Sequence, residues 1–185
     1  MLKLDDVTVR LGGAEVVRHV SLDIGHGITA LVGPNGAGKT TLFRALVGAV
    51  PFGGVIDVGD RRIGYLPQTP RPPAWFSVWD LVEYVAWLQR SPSGRARRHA
   101  VKEAIAAVGL EGSERKRVSA LSGGQARRAF LAQAIIGSPD LVLLDEPTAG
   151  LDPEQRVSMR DLINGLARNT TVILSTHLTE DVERL

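Results

Sequence analysis

The segment Ile28-Thr-Ala-Leu-Val-Gly-Pro-Asn-Gly-Ala-Gly-Lys-Thr40 decides the fold. Ile28–Val32 is a short continuous apolar run, the pattern of a strand buried on both faces of a parallel sheet. Gly33–Thr40 fits G-x-x-x-x-G-K-[ST], and a helical stretch follows from Thr40. Without a Cβ, the glycines let backbone N–H groups converge on a phosphate. The partial positive charge of the helix N-terminus adds to the attraction. Lys39 is placed to reach the terminal phosphates, and the Thr40 hydroxyl to ligate Mg²⁺. The nucleotide-binding residues expected in this loop are Gly33, Asn35, Gly36, Gly38, Lys39, Thr40 and Thr41.

Two further apolar runs, Leu141-Val-Leu-Leu144 and Thr171-Val-Ile-Leu174, are each followed by a loop and a helical pattern. Together the three runs predict an α/β fold doubly wound around a mostly parallel sheet, and with the Gly33–Thr40 loop the pattern resembles a P-loop nucleoside triphosphatase core. The second run ends in Asp145 and Glu146. At the C-terminal edge of a parallel sheet such residues face the ligand crevice. Adjacent carboxylates repel and lose solvation there, so a cation is expected beside them. Asp145 suits the Mg²⁺ shell, and Glu146 suits a base that polarises the attacking water. No Asn-Lys-x-Asp occurs, which speaks against the guanine-reading small GTPases.

Outward from this core the patterning changes. Val7, Val9 and Leu11 alternate with polar residues, as do Val20, Leu22 and Ile24. That period of two predicts half-buried antiparallel strands, an N-terminal β lobe. Pro67-Gln-Thr-Pro-Arg-Pro-Pro73 must be extended. After it, Val78–Gln89 and Arg95–Val108 carry helical spacing. One domain is expected over 1–185, with a core of about 1–66 and 123–185 and a helical insertion of about 67–122.

The chain has 185 residues, 44% apolar and 23% charged, which excludes wholesale disorder. Cysteine is absent, so disulfides, thiolate metal sites and thiol nucleophiles are excluded together. A net charge of +2 is too small to imply a nucleic-acid partner on its own, and none is expected. No apolar run approaches the roughly 18 residues of a membrane span. Residues 90–117 hold eight Lys or Arg against three Glu. A solvated helical face, a contact with a partner or anionic lipid, or a nucleic-acid contact accounts for that excess, and the lack of interleaved aromatics speaks against single-strand binding. Trp75, Phe76, Trp79, Tyr84 and Trp87 cluster after the proline stretch, either as helix core or as anchors for a partner.

Leu121-Ser-Gly-Gly-Gln125 opens the helical stretch Ala126–Ile136, with Ser122 a suitable N-cap and the glycines leaving N–H groups bare for an anion. Shortly before Leu-Leu-Asp-Glu146, and in a chain with Gly33–Thr40, this stretch resembles the signature motif of the ATP-binding cassette family. The resemblance covers essentially the whole chain and runs in order. Gln68 stands at the family's glutamine loop, which senses Mg²⁺ and the γ-phosphate. Asp152, in Ala149-Gly-Leu-Asp152, stands where an aspartate crosses a dimer interface, and His177 stands at the switch histidine.

The resemblance implies an ATPase with ATP and Mg²⁺ as cofactors. Glu146, His177 and Gln68 are its expected catalytic residues, and Thr40, Gln68 and Asp145 its expected metal positions. It implies two cassettes closing head to tail, so that Ser122, Gly123, Gly124, Gln125 and Asp152 of one complete the nucleotide site of the other. It further implies a motor subunit bound to an integral membrane permease, cytoplasmic and peripheral on the inner face of the cell membrane. Asp145–Arg156 and Ser175–Glu183 resemble the bacterial exporter branch. A soluble cassette ATPase of cofactor assembly, DNA repair or translation is the alternative. A repair ATPase would carry a long coiled coil between Lys39 and Ser122, and a ribosomal one two cassettes.

Two departures stand out. Leu11 occupies the position where relatives place an aromatic residue against adenine, so weak base preference is expected. The chain ends eight residues after His177, where relatives continue with strands. Truncation is expected, with Val182 and Leu185 docking a short final helix.

Overall fold

The computed structural model describes residues 1–90 and 94–182, with side chains as far as Glu180. Its scaffold is two sheets. Strands β1 (Leu2–Leu11), β2 (Ala14–Ile24) and β4 (Gly53–Asp57) form an antiparallel sheet in the order β2-β1-β4. Strands β3 (Ile28–Val32), β5 (Ile63–Leu66), β6 (Leu141–Asp145) and β7 (Thr171–Thr176) form a parallel sheet in the order β3-β7-β6-β5. The helices are α1 (Lys39–Leu46), α2 (Val78–Leu88), α3 (Arg95–Ala107), α4 (Gly123–Ile135), α5 (Pro153–Ala167) and the short α6 (Thr179–Val182).

Strand β6 shows why its sequence is continuously apolar. Side chains alternate between the two faces of a strand. Leu141 and Leu143 enter one core with Phe43 and Leu46 of α1 and with Leu2, Leu4, Val7 and Val9 of β1. Val142 and Leu144 enter the other, with Leu131 of α4 and Met159 and Ile163 of α5. All four are fully buried. Each such burial stabilises the fold by about 1.5–3 kcal/mol, an upper estimate from area. α1 and the antiparallel sheet cover one face, and the longer helices cover the other.

Ile28–Val32, expected to be buried on both faces, instead forms the edge of the parallel sheet. It is half-buried, and Val32 is 50% exposed. The edge has one neighbouring strand among the described residues, β7.

The period-two strands pair as the alternation requires, Leu4 opposite Leu22 and Val7 opposite Val20. Between β5 and α4 lie α2, α3 and a 3-10 turn at Val118–Ala120. Three N-caps fix where helices begin. The Ser77 and Ser122 hydroxyls each accept from the backbone N–H three residues on, and the Ser77 and Ser122 backbone N–H groups donate in return to the Asp80 and Gln125 side chains. Asp152 accepts from Gln155 N–H, with Pro153 in the first turn of α5. The expected docking of Val182 and Leu185 lies outside the described side chains.

Candidate functional site

The turn from β3 into α1 carries the first part of the site. Gly36 and Gly38 both lie in the left-handed region, at φ 84° and 90°. Gly38 is held there by proximity as well, because a Cβ would stand 2.8 Å from the Val16 carbonyl of β2. Only glycine meets both demands. Lys39 bends back over the turn, its Nζ donating to the carbonyls of Gly33 at 2.6 Å and Pro34 at 3.0 Å.

The second part comes from the adjacent ends of β6 and β7. Asp145 is fully buried, and its Oδ1 accepts from Ser175 Oγ at 2.6 Å. Ser175 Oγ in turn accepts from Glu146 N–H at 3.0 Å. Glu146 takes a positive φ of 50°, costly for a residue with a side chain. Its carboxylate is aimed by two cations or donors: Oε1 lies 3.6 Å from Lys39 Nζ, and Oε2 lies 2.8 Å from His177 Nδ1. An ionised carboxylate only accepts, so the imidazole donates through Nδ1.

These parts meet in a cavity of about 210 Å³ lined by Val16, Asn35–Thr41, Gln68 and Glu146. Pockets that enclose a small molecule start at about 300 Å³. The cavity therefore suits a phosphate tail, and a base would sit outside it. Larger hollows exist elsewhere, but this one joins a lysine, a carboxylate, bare amides and two threonine hydroxyls. Among the described residues, Asp145 Oδ2 and Glu146 Oε1 are buried without a hydrogen-bond partner. A buried carboxylate oxygen without a donor fits a hard cation. Among the described residues no group of three or more His, Cys, Asp or Glu side chains is arranged to hold a metal ion by itself.

The remaining expected residues gather separately. Ser122, Gly123, Gly124, Gln125 and Asp152 do not line the cavity. They adjoin one another, because a Cβ on Gly124 would meet Gln155, on the first turn of the helix that Asp152 caps. Leu11 does not line the cavity either, and is 37% exposed at the end of β1. Val16 of β2 lines it, a residue that no motif in the sequence marks.

A further residue emerges only from the structure. Arg127 is 7% exposed and donates to the carbonyls of Asp145, Glu146, Pro147, Pro67 and Gln68. Burial lowers its pKa, opposed by the Asp145 and Glu146 charges. Tyr65 of β5 is pushed up to about 12, first by burial and then by the Asp145 charge.

The ABC transporter family's sequence profile matches residues 17–149 of the chain. The ABC transporter ATP-binding protein YxlF of Bacillus subtilis is 35% identical over all of this chain and 65% of its own length. The thiamine import ATP-binding protein ThiQ of Brucella suis is 37% identical over all of this chain and 81% of its own. A bacterial ABC transporter cassette solved as a dimer superposes with a TM-score of 0.86 at 25% identity, over all of this chain and 91% of that one. The chain spans less than two thirds of YxlF and 53% of a further relative, an ABC transporter ATP-binding protein from Nostoc. With the profile spanning the phosphate turn, the Ser122 loop and the acidic end of β6, the chain belongs to the ABC transporter family.

Proposed function

We propose that the protein is the ATP-binding and ATP-hydrolysing motor of a membrane transporter. One observation carries this reading: Glu146 stands between Lys39 and His177 at the phosphate-sized cavity. Lys39, released from the Gly33 and Pro34 carbonyls, binds the terminal phosphates, and Asn35, Gly36, Gly38, Thr40 and Thr41 line their path. The Glu146 carboxylate orients the attacking water and takes its proton, while His177 holds that carboxylate through Oε2; by the family pattern His177 would also reach the γ-phosphate. Thr40, Gln68 and Asp145 would hold Mg²⁺, which when bound neutralises phosphate charge.

The separate cluster of Ser122–Gln125 and Asp152 makes sense on a second cassette, whose site it completes head to tail. The dimeric relative supports that arrangement. Residues of about 67–122 act as a helical subdomain of one cassette domain, the core being about 1–66 and 123–185. That subdomain carries an apolar groove lined by Pro72, Pro73, Trp75, Phe76 and Tyr84 beside the Gln68 segment, suited to a cytoplasmic segment of an integral membrane permease. No described helix is long and apolar enough to cross a membrane, so in this reading a partner spans it and the cassette lies on its inner face. The expectation of an exporter finds no support among these relatives, since ThiQ is named for import.

Replacing Glu146 by Gln keeps the size and removes the base. Turnover should fall by about a hundredfold or more while ATP binding persists. Steady-state hydrolysis and equilibrium nucleotide binding on the full chain test this, and turnover within threefold of wild type would refute it.

A further inference from the structure

Arg127 holds none of the phosphate, metal or base positions, yet it donates to the main chain of the Pro67–Gln68 segment and of Asp145–Pro147. It lies in α4, five residues beyond Ser122. Nε donates to Pro147 O at 3.0 Å, Nη1 to Gln68 O at 3.1 Å and Pro67 O at 3.4 Å, and Nη2 to Asp145 O at 2.8 Å and to Glu146 O. All of these acceptors are carbonyls, so the contacts fix backbone rather than neutralise a side chain.

The chemistry requires arginine. Its planar fork offers five donors in fixed directions, whereas an ammonium offers three from one point. No lysine could bridge the Pro67–Gln68 segment to Asp145–Pro147 with the same span. The contacts also bear on strain. Glu146 sits at φ 50°, and such a conformation persists only when its surroundings over-determine it. Ser175 holds the Glu146 N–H, and Arg127 holds its carbonyl. The peptide groups on both sides of the Glu146 Cα are thus tied to different elements, β7 and α4.

We propose that Arg127 is a positioning residue, coupling the helix that begins at Ser122 to the main chain of Gln68 and Glu146. Glu146 is then aimed at its water only while α4 is seated. A shift of the Ser122 end on closure of a partner cassette reaches the base through this side chain, without contact between Ser122 and Glu146. The proposal rests on the reading of Glu146 as the base.

The test compares Arg127→Lys, Arg127→Gln, Glu146→Gln and the Arg127→Lys/Glu146→Gln double variant in the full chain. Hydrolysis is measured per titrated ATP-binding site, so that partial unfolding does not count as lost catalysis. Each Arg127 variant should lose about tenfold or more in kcat, with the ATP dissociation constant within about threefold. Because Arg127 acts through Glu146, adding Arg127→Lys to Glu146→Gln should change slow single-turnover hydrolysis by less than about twofold. A kcat per site within twofold of wild type in the single variants would overturn the proposal. So would losses that multiply fully in the double variant, the mark of a merely structural arginine. If Glu146→Gln itself retains turnover, the base assignment falls and this inference with it. If Glu146→Gln is inactive and Arg127→Lys is not impaired, the inference alone falls.

Discussion

Strands β6 and β2 both carry alternate apolar side chains toward the α1 side of the molecule, and their surroundings differ in one respect. Every residue of β6 is buried, down to the carboxylate of Asp145. Of the eleven residues of β2, only Val17 and Ile24 are buried, and Glu15, Arg18 and His19 make their contacts at the surface. A strand dry on both faces confers low dielectric on whatever polar group ends it, so each hydrogen bond there carries weight. A strand wet on one face lets charges pair without consequence. Asp145 and Glu146 stand at the end of the first kind of strand, and the lobe contributes uncharged Val16 to the cavity wall.

The largest expected effect tests the burial side of that contrast. Leu143→Ala removes a side chain packed between two sheets and should cost about 2–5 kcal/mol. Leu22→Ala, on half-buried β2, should cost at least about 1.5 kcal/mol less, since its site is already partly hydrated. Denaturant midpoints of the two variants decide it, and equal losses would erase the distinction between the strands.

The same contrast explains what was legible in the sequence. Gly33–Thr40 and Asp145–Glu146 are contiguous, and chain geometry alone forces their residues together. His177 was legible only through the family pattern, because β7 carries it to Glu146 across 31 residues. β4 and β5 left no signal. Gly53, Gly54 and Val55 of β4 are exposed, and Gly54 lets the chain approach the Asp6 carbonyl where a Cβ would overlap. β5 has four residues, too few to show a period. Arg127 left none either, since its partners are carbonyls, which every residue possesses. The aromatic cluster divides between its two readings. Phe76 is buried, with Trp75 and Tyr84 packed edge-on to it, and Trp75, Tyr84 and Trp87 stay 67%, 48% and 58% exposed.

A smaller expected effect tests whether buried polar bonds matter as argued. Ser175→Ala removes the donor to Asp145 Oδ1 and one of two acceptors of Glu146 N–H, the other being Ser175 O at 3.2 Å. Leaving a buried acceptor unpaired costs about 1–3 kcal/mol. Thermal unfolding should register that loss, and turnover should drop as Asp145 loses its fixed orientation. A neutral Ser175→Ala would mean that water replaces the hydroxyl and that the β6 end is not dry.

The smallest effect belongs to the lobe. His19 Nδ1 lies 2.6 Å from Asp6 Oδ1, and both side chains are exposed. The Asp6 hydrogen bond, then its charge, raises the His19 pKa above 6.5. A group whose pKa is raised by folding stabilises the fold fully below its unfolded value, and loses that contribution as pH rises through the folded one. The contribution should therefore be present below about pH 6.5 and fade above it. Solvent and salt screen the pair, so it should also shrink in about 1 M salt, where the screening length is about 3 Å. A proton NMR titration of His19 reads the shift directly, and Asp6→Asn should return it toward the ordinary histidine value. The stability of the Asp6→Asn variant should stay close to wild type at neutral pH, unlike that of Ser175→Ala. If His19 titrates at or below 6.5, Asp6 does not hold it. If Asp6→Asn destabilises as much as Ser175→Ala, surface pairs matter here as much as buried ones, and the contrast between β2 and β6 fails.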